Sequence, residues 1–147
     1  SFNYGFQRKK AYENFHKKNN LKFQIHYYQD SYEHKTITGT QLSKKLLDLK
    51  NPPTAIICSS DKFFIGCIQE CQRRGLQIPK DISVVGYNDH DNYLSSQNLT
   101  FVSHPLTEMG KISVEILEKI EKGESPRKLS KLIEPILNKG KSDGKVI

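Results

Sequence analysis

Apolar positions along this chain fall into short runs of β-branched residues separated by stretches of helical period, the pattern of strands alternating with helices. Two runs stand out, Thr54–Cys58 (TAIIC) and Ile82–Tyr87 (ISVVGY). Each is short, nearly uninterrupted and β-rich, as expected of buried parallel strands. A third, Lys22–Tyr28, alternates Phe23, Ile25 and Tyr27 with polar residues and also reads as a strand. Between the first two runs, Phe64, Ile65, Cys67, Ile68 and Cys71 recur at helical spacing from Asp61 to Arg74, and Gly75 ends the helix. Further helices are expected over Gln7–Asn19, Thr40–Leu49 and Pro105–Lys122. The first stops at Asn19-Asn20, and the second is capped by Thr40 after a polar loop over Gln29–Gly39. His90–Asn98 reads as a loop, Thr100–Ser103 as a short strand and Leu129–Leu137 as a last strand. The fold class is α/β, a three-layer arrangement around a parallel sheet. Residues 1–137 form the domain, and 138–147, polar and rich in Gly and Lys, form a mobile tail.

Composition narrows the function classes. The 147 residues carry a net charge of +7, which permits nucleic-acid binding. The basic residues are dispersed, however, as Arg8-Lys9-Lys10, Lys17-Lys18, Lys44-Lys45 and Arg73-Arg74, each on or beside a helix. That dispersal describes solvated helix faces better than a DNA groove, and no helix-turn-helix or zinc-finger pattern occurs. The three cysteines, Cys58, Cys67 and Cys71, make no disulfide framework and read as small buried hydrophobes of a reducing compartment. No metal or cofactor is expected. The five histidines lack metal-ligand spacing, and no G-x-G-x-x-G or P-loop is present. No apolar run reaches transmembrane length, so no membrane partner is expected. Ser59 or Ser60, His104 and Asp89 can be drawn as a triad. A triad is defined by geometry, though, and no G-x-S-x-G elbow supports one; the chain reads as a non-enzyme.

Polar residues at the carboxyl ends of the two apolar runs are the candidates for chemistry. Ser59-Ser60-Asp61 follows the first, and Asn88-Asp89 follows the second just after Gly86, which lets the backbone pass close to a neighbour. In open α/β sheets ligands bind at such strand ends. Ser60 and Asp61 are also good helix caps, the stronger role for Asp61, and Asn88 suits a turn.

The segments Pro53-Thr54-Ala55-Ile56, Ser60-Asp61, Gly75-Leu76-Gln77-Ile78-Pro79, Lys80–Asp89, Leu99-Thr100-Phe101-Val102, His104 and Met109-Gly110 together resemble the lactose/galactose-repressor (LacI/GalR) family of bacterial transcription regulators. The resemblance runs from about Arg8 to Pro135. It implies the second lobe of a periplasmic-binding-protein-like domain, truncated at its amino terminus. A small-molecule effector, a sugar or sugar derivative, would be bound between two lobes. Operator DNA would be reached only through a missing headpiece, a helix-turn-helix or a winged helix as in arabinose repressors. It implies ligand-binding roles for Arg8, four residues before Tyr12, and for Ser60, Asp61, Asn88 and His104. It also implies a cytoplasmic homodimer formed through the helix after Ser60-Asp61, with Phe64, Ile65 and Ile68 at the interface. The Pro105–Lys122 helix would lose its partner with the first lobe, and is expected to swap with a second copy or to lie against its own sheet. Ser60 and Asn88 depart from the family's Asn and Asp, and Leu137–Ser142 matches its closing motif poorly. The alternative is a lobe of an exported sugar-binding protein of a transporter, which shares the fold.

Overall fold

The structure, a computed structural model, describes residues 4–21, 36–88 and 93–145. The strand expected over Lys22–Tyr28, and Asp89 and His90, lie outside these residues.

The described residues form a mixed four-stranded sheet in the order β1 (Ala55–Ile57), β2 (Ser83–Tyr87), β3 (Phe101–Ser103), β4 (Ile136–Asn138). β1, β2 and β3 run parallel, with Ile56 opposite Val84 and Tyr87 opposite Val102. β4 runs antiparallel to β3, pairing Val102 with Leu137. The helices are α1 (Tyr4–Lys18), α2 (Thr36–Leu47), α3 (Asp61–Arg73), the single turn α4 (Tyr93–Ser96) and α5 (Leu106–Glu121). The parallel pair β1–β2 and the helix between its strands are as the apolar pattern predicts. α1 likewise ends beside Asn20, which adopts the left-handed conformation at φ 52°.

The core lies between the sheet and α3. Phe64, Cys67 and Cys71 of α3 and Val84 of β2 are fully buried, and Ile56, Ile68, Ile82, Leu94 and Phe101 complete the cluster. Phe64 and Ile68, expected at a dimer interface, are therefore core residues. They occupy the helix face turned to the sheet, and Ile65 is the half-buried one of the three. Gly86 permits the contact that its position implied. A Cβ there would lie 2.3 Å from the ring of buried Phe64, so the close neighbour is a core side chain. The opposite face of the sheet is open at Ile57, which is 65% exposed. The other face of the sheet is closed by α3.

α2 begins four residues before the expected start. Gly39 and Thr40 look like loop and cap, but both serve the contact with α3. Gly39 is buried. The Thr40 hydroxyl lies 3.3 Å from both the Thr36 carbonyl within α2 and the Gly66 carbonyl of α3. The two helices are also joined by charge. Buried Glu70 accepts from Arg73 at 2.7 and 2.8 Å and from Arg74 at 2.6 Å, and Arg74 reaches Asp48 beyond α2 at 2.6 Å. Hydrogen bonds from Arg73, then Arg74, outweigh burial and pull the Glu70 carboxyl down from 4.5 to about 2. A depressed carboxylate stabilises the fold fully above its unfolded value of 4.5, and that stabilisation is lost as pH falls towards 2. Glu70→Gln should cost about 1–3 kcal/mol at neutral pH, discounted because Arg73 is solvated. Urea unfolding across pH 2 to 5 checks this: the variant should show a flatter acid limb than the parent.

Three further expectations are corrected. Residues 93–96, read as loop, make the turn α4, because Leu94 is fully buried and anchors it. The last strand covers Ile136–Asn138 rather than Leu129–Leu137. Pro135 offers no N–H to a ladder, and the residues before it include fully exposed Leu132. Residues 138–145, read as a mobile tail, are stitched to the sheet. Buried Ser142 donates from its hydroxyl to the Val84 carbonyl at 2.7 Å and accepts from the Thr100 N–H at 2.9 Å, and the Val84 N–H donates to the Ser142 carbonyl at 2.8 Å. Asp143 bonds Thr100 and Lys139, and these hold its carboxyl below the usual range, Lys139 first. These polar side chains enter the interior because they satisfy strand groups that would otherwise be unpaired.

α5 is not held against the sheet. None of its residues is buried, and Leu106, Val114 and Leu117 are more than half exposed. Among the described residues, no helix is long and apolar enough to cross a membrane.

Candidate functional site

The parallel strands bring their carboxyl ends together, and four of the five expected site residues stand at or beside those ends. Ser60 follows β1 and is the N-cap of α3, its Oγ accepting from the Phe63 N–H at 3.3 Å. Asp61 is buried, with Oδ1 taken by the Lys62 N–H at 2.7 Å. That is capping chemistry, and it leaves Asp61 less suited to a ligand than Ser60. Asn88 follows β2 at φ 65°, its N–H donating to the Val102 carbonyl at 2.8 Å. A left-handed backbone is tolerated by Asn better than by most residues, and it turns the chain just where the strand ends. His104 follows β3 at the crossover into α5.

Arg8 reaches this end of the sheet from α1. Its Nη1 donates to the Ser59 carbonyl at 2.8 Å, beside the cap of α3. Its guanidinium carbon lies 3.6 Å from the centre of the Tyr87 ring. The same ring meets His104 edge-on, with centres 5.4 Å apart and planes at 70°. Arg8, Tyr87 and His104 therefore form a cation–aromatic–imidazole column across the ends of β2 and β3, with Ser59-Ser60 at one side and Asn88 next in the chain. This arrangement offers a fixed guanidinium, a hydroxyl and a carboxamide, groups able to bond the paired hydroxyls of a sugar.

Tyr87 is the residue that sequence reasoning missed. It counts as the last apolar residue of its strand, and its alternation with Gly86 was the available signal, since it faces away from the Phe64 side. A hollow of about 530 Å³ lies beside the crossover, lined by His104, Pro105, Leu106, Thr107, Glu108, Lys111 and Ile136. It includes His104 but not Arg8, Ser60 or Asn88.

The histidine, cysteine and carboxylate side chains do not assemble a metal centre among the described residues. Cys58, Cys67 and Cys71 are buried and unpaired by disulfides. Hydrogen bonding between neighbouring thiols and burial raise the values of Cys67 and Cys71 well above the ordinary range. Such thiols stay protonated and behave as apolar packing.

Residues 2–142 match the periplasmic binding protein-like domain. The chain is similar to the HTH-type transcriptional repressor CytR of Escherichia coli K12, 34% identical over 80 residues, which are 54% of this chain and 24% of that protein. It is also similar to the ribose operon repressor of Haemophilus influenzae, 41% identical over 76 residues, 50% of this chain and 23% of that protein. Among solved structures it resembles a regulatory protein of the LacI family from Chloroflexus aggregans. The TM-score is 0.81 at 28% identity, covering 93% of this chain and 50% of that one. The chain thus spans about half of that regulator, and its matches span about a quarter of the two repressors.

Proposed function

The chain belongs to the periplasmic-binding-protein-like domain family, and from that premise we propose that it forms the carboxyl-terminal part of the effector-binding domain of a transcriptional repressor. The effector is a sugar or sugar derivative, held between this lobe and a second one. Arg8, Ser60 and Asn88 bond its hydroxyls, and His104 stands at the crossover between lobes. The observation that carries the reading is the column of Arg8, Tyr87 and His104 beside Asn88 at the carboxyl ends of parallel strands. The alternative, a sugar-binding protein of a transporter, has the same fold. Regulation is preferred because the relatives are repressors by name. Operator contacts would come from elsewhere in the gene product, and closure of the lobes would bias them by population shift. The exposed apolar side of α5 is the surface on which a first lobe would rest. A cytoplasmic location and the absence of catalysis follow from the same reading.

The test is a thermal-shift screen of the intact protein against pentoses, hexoses and nucleosides, with D-ribose first because one relative is a ribose operon repressor. A ligand at a hundred times its Kd should stabilise by about 2.7 kcal/mol. No shift with any sugar-containing compound would reject a sugar effector.

The reading also includes a homodimer, with α3 at its interface. The most accessible stripe of α3 holds half-buried Lys62 and Ile65 with exposed Gln69 and Gln72, since its other faces meet the sheet and α2. Ile65 is its apolar member. Ile65→Asp should reduce the sedimentation coefficient to that of a monomer. An unchanged coefficient would place the interface elsewhere.

A further inference from the structure

Tyr87 offers no group that the sugar-binding reading requires, yet the contacts at the strand ends converge on it. Its ring face carries the Arg8 guanidinium at 3.6 Å, and its ring also meets His104 at 5.4 Å. Its backbone is fixed against β3, by its register opposite Val102 and by the bond of the next residue's N–H to the Val102 carbonyl. Arg8 needs such a support. It projects from α1, whose Phe6 and Phe15 are 62% and 59% exposed, so no broad apolar face seats that helix at these positions. A guanidinium is attracted to an aromatic face and stacks flat on it. With Nη1 bonded to the Ser59 carbonyl at 2.8 Å, the ring at 3.6 Å gives Arg8 a further restraint.

We propose that Tyr87 is a positioning residue of the effector site. It holds the Arg8 guanidinium in place over the strand ends and, through its contact with His104, ties that placement to the crossover into α5. The inference rests on the reading of this cleft as the effector site. A ligand bonded by Arg8 then meets a donor already oriented, which lowers the ordering cost of binding. The aromatic face, not the phenol hydroxyl, does the work, so phenylalanine substitutes for tyrosine and leucine does not.

The test uses the intact protein, D-ribose as probe, and the variants Tyr87→Phe, Tyr87→Leu, His104→Ala and the Tyr87→Leu/His104→Ala pair. Side-chain NMR of the ligand-free protein reads the Arg8 signals, which the ring displaces upfield. Tyr87→Phe is expected to keep that displacement and Tyr87→Leu to abolish it. His104→Ala is expected to move the Arg8 signals when Tyr87 is present and to leave them unmoved beside Tyr87→Leu. Ribose affinity by calorimetry should fall about two- to fivefold in Tyr87→Leu and stay unchanged in Tyr87→Phe. Arg8 signals identical in Tyr87→Leu and parent overturn the proposal. So does a response to His104→Ala that is equal in both backgrounds, or, where the parent binds ribose, equally strong binding in Tyr87→Leu. A parent that ignores ribose, while the Arg8 signals respond as expected, rejects ribose as effector and upholds the positioning role.

Discussion

Gly66→Ala should destabilise the fold, although the same change in an open helix stabilises it. Replacing glycine by alanine inside a helix is ordinarily worth about 1 kcal/mol. At Gly66 the added Cβ would lie 2.2 Å from the Thr36 carbonyl oxygen and 2.5 Å from the Thr40 nitrogen. Both are backbone atoms of α2, so no side chain can swing aside. α2 would have to move off α3, breaking the Thr40–Gly66 contact and stretching the Arg74–Asp48 pair. Overpacking of this kind costs about 1–3 kcal/mol, sometimes more, and with backbone atoms on both sides of the clash it should outweigh the propensity gain by up to about 2 kcal/mol. Gly110 in α5 supplies the opposite case, because a Cβ there meets nothing within 4 Å. Gly110→Ala should therefore stabilise by up to about 1 kcal/mol. Urea midpoints of the two variants should move in opposite directions. A Gly66→Ala midpoint at or above the parent's would mean that α2 and α3 do not pack at this distance.

Asn88→Ala should weaken effector binding by about 1–3 kcal/mol, since it leaves buried ligand hydroxyls without a partner. The backbone complicates that variant. Asn88 sits at φ 65°, where alanine costs roughly 1–2 kcal/mol and can disturb the turn itself. Asn88→Gly removes the same carboxamide without the strain and keeps the N–H bonded to Val102. The account requires both variants to lose affinity by similar factors in calorimetric titrations. Loss in Asn88→Ala alone would assign the effect to the backbone and remove Asn88 from the binding groups.

The parts of the fold legible in the sequence are those built on apolar contrast. β1, β2 and α3 were readable because Ile56, Val84, Phe64 and Cys67 form runs at strand or helix period and Ser60 marks a cap. The start of α2 was not, because Gly39 and Thr40 carry turn and cap signals while serving a close helix contact that only the tertiary structure reveals. Ser142 was hidden for a related reason. A polar residue enters the interior when strand groups need a partner, and no periodicity announces that need. At the candidate site, Ser60 and Asn88 were visible as polar residues after strands. The sequence also marked Phe64 and Ile68 as apolar but not which face of α3 they occupy. Tyr87 escaped notice because a strand-end aromatic reads as core until Arg8 is seen lying on it.

The central claim is that a small polyhydroxylated ligand binds at the carboxyl ends of β1, β2 and β3. Hydrogen exchange on the intact protein, with and without a sugar that raises its melting temperature, tests it most directly. The account predicts added protection at Ser59–Lys62, Tyr87–Asn88 and Ser103–His104. Protection confined to other surfaces, such as the cleft between Gln72, Leu76 and Asn98, with these strand ends unchanged, would contradict it.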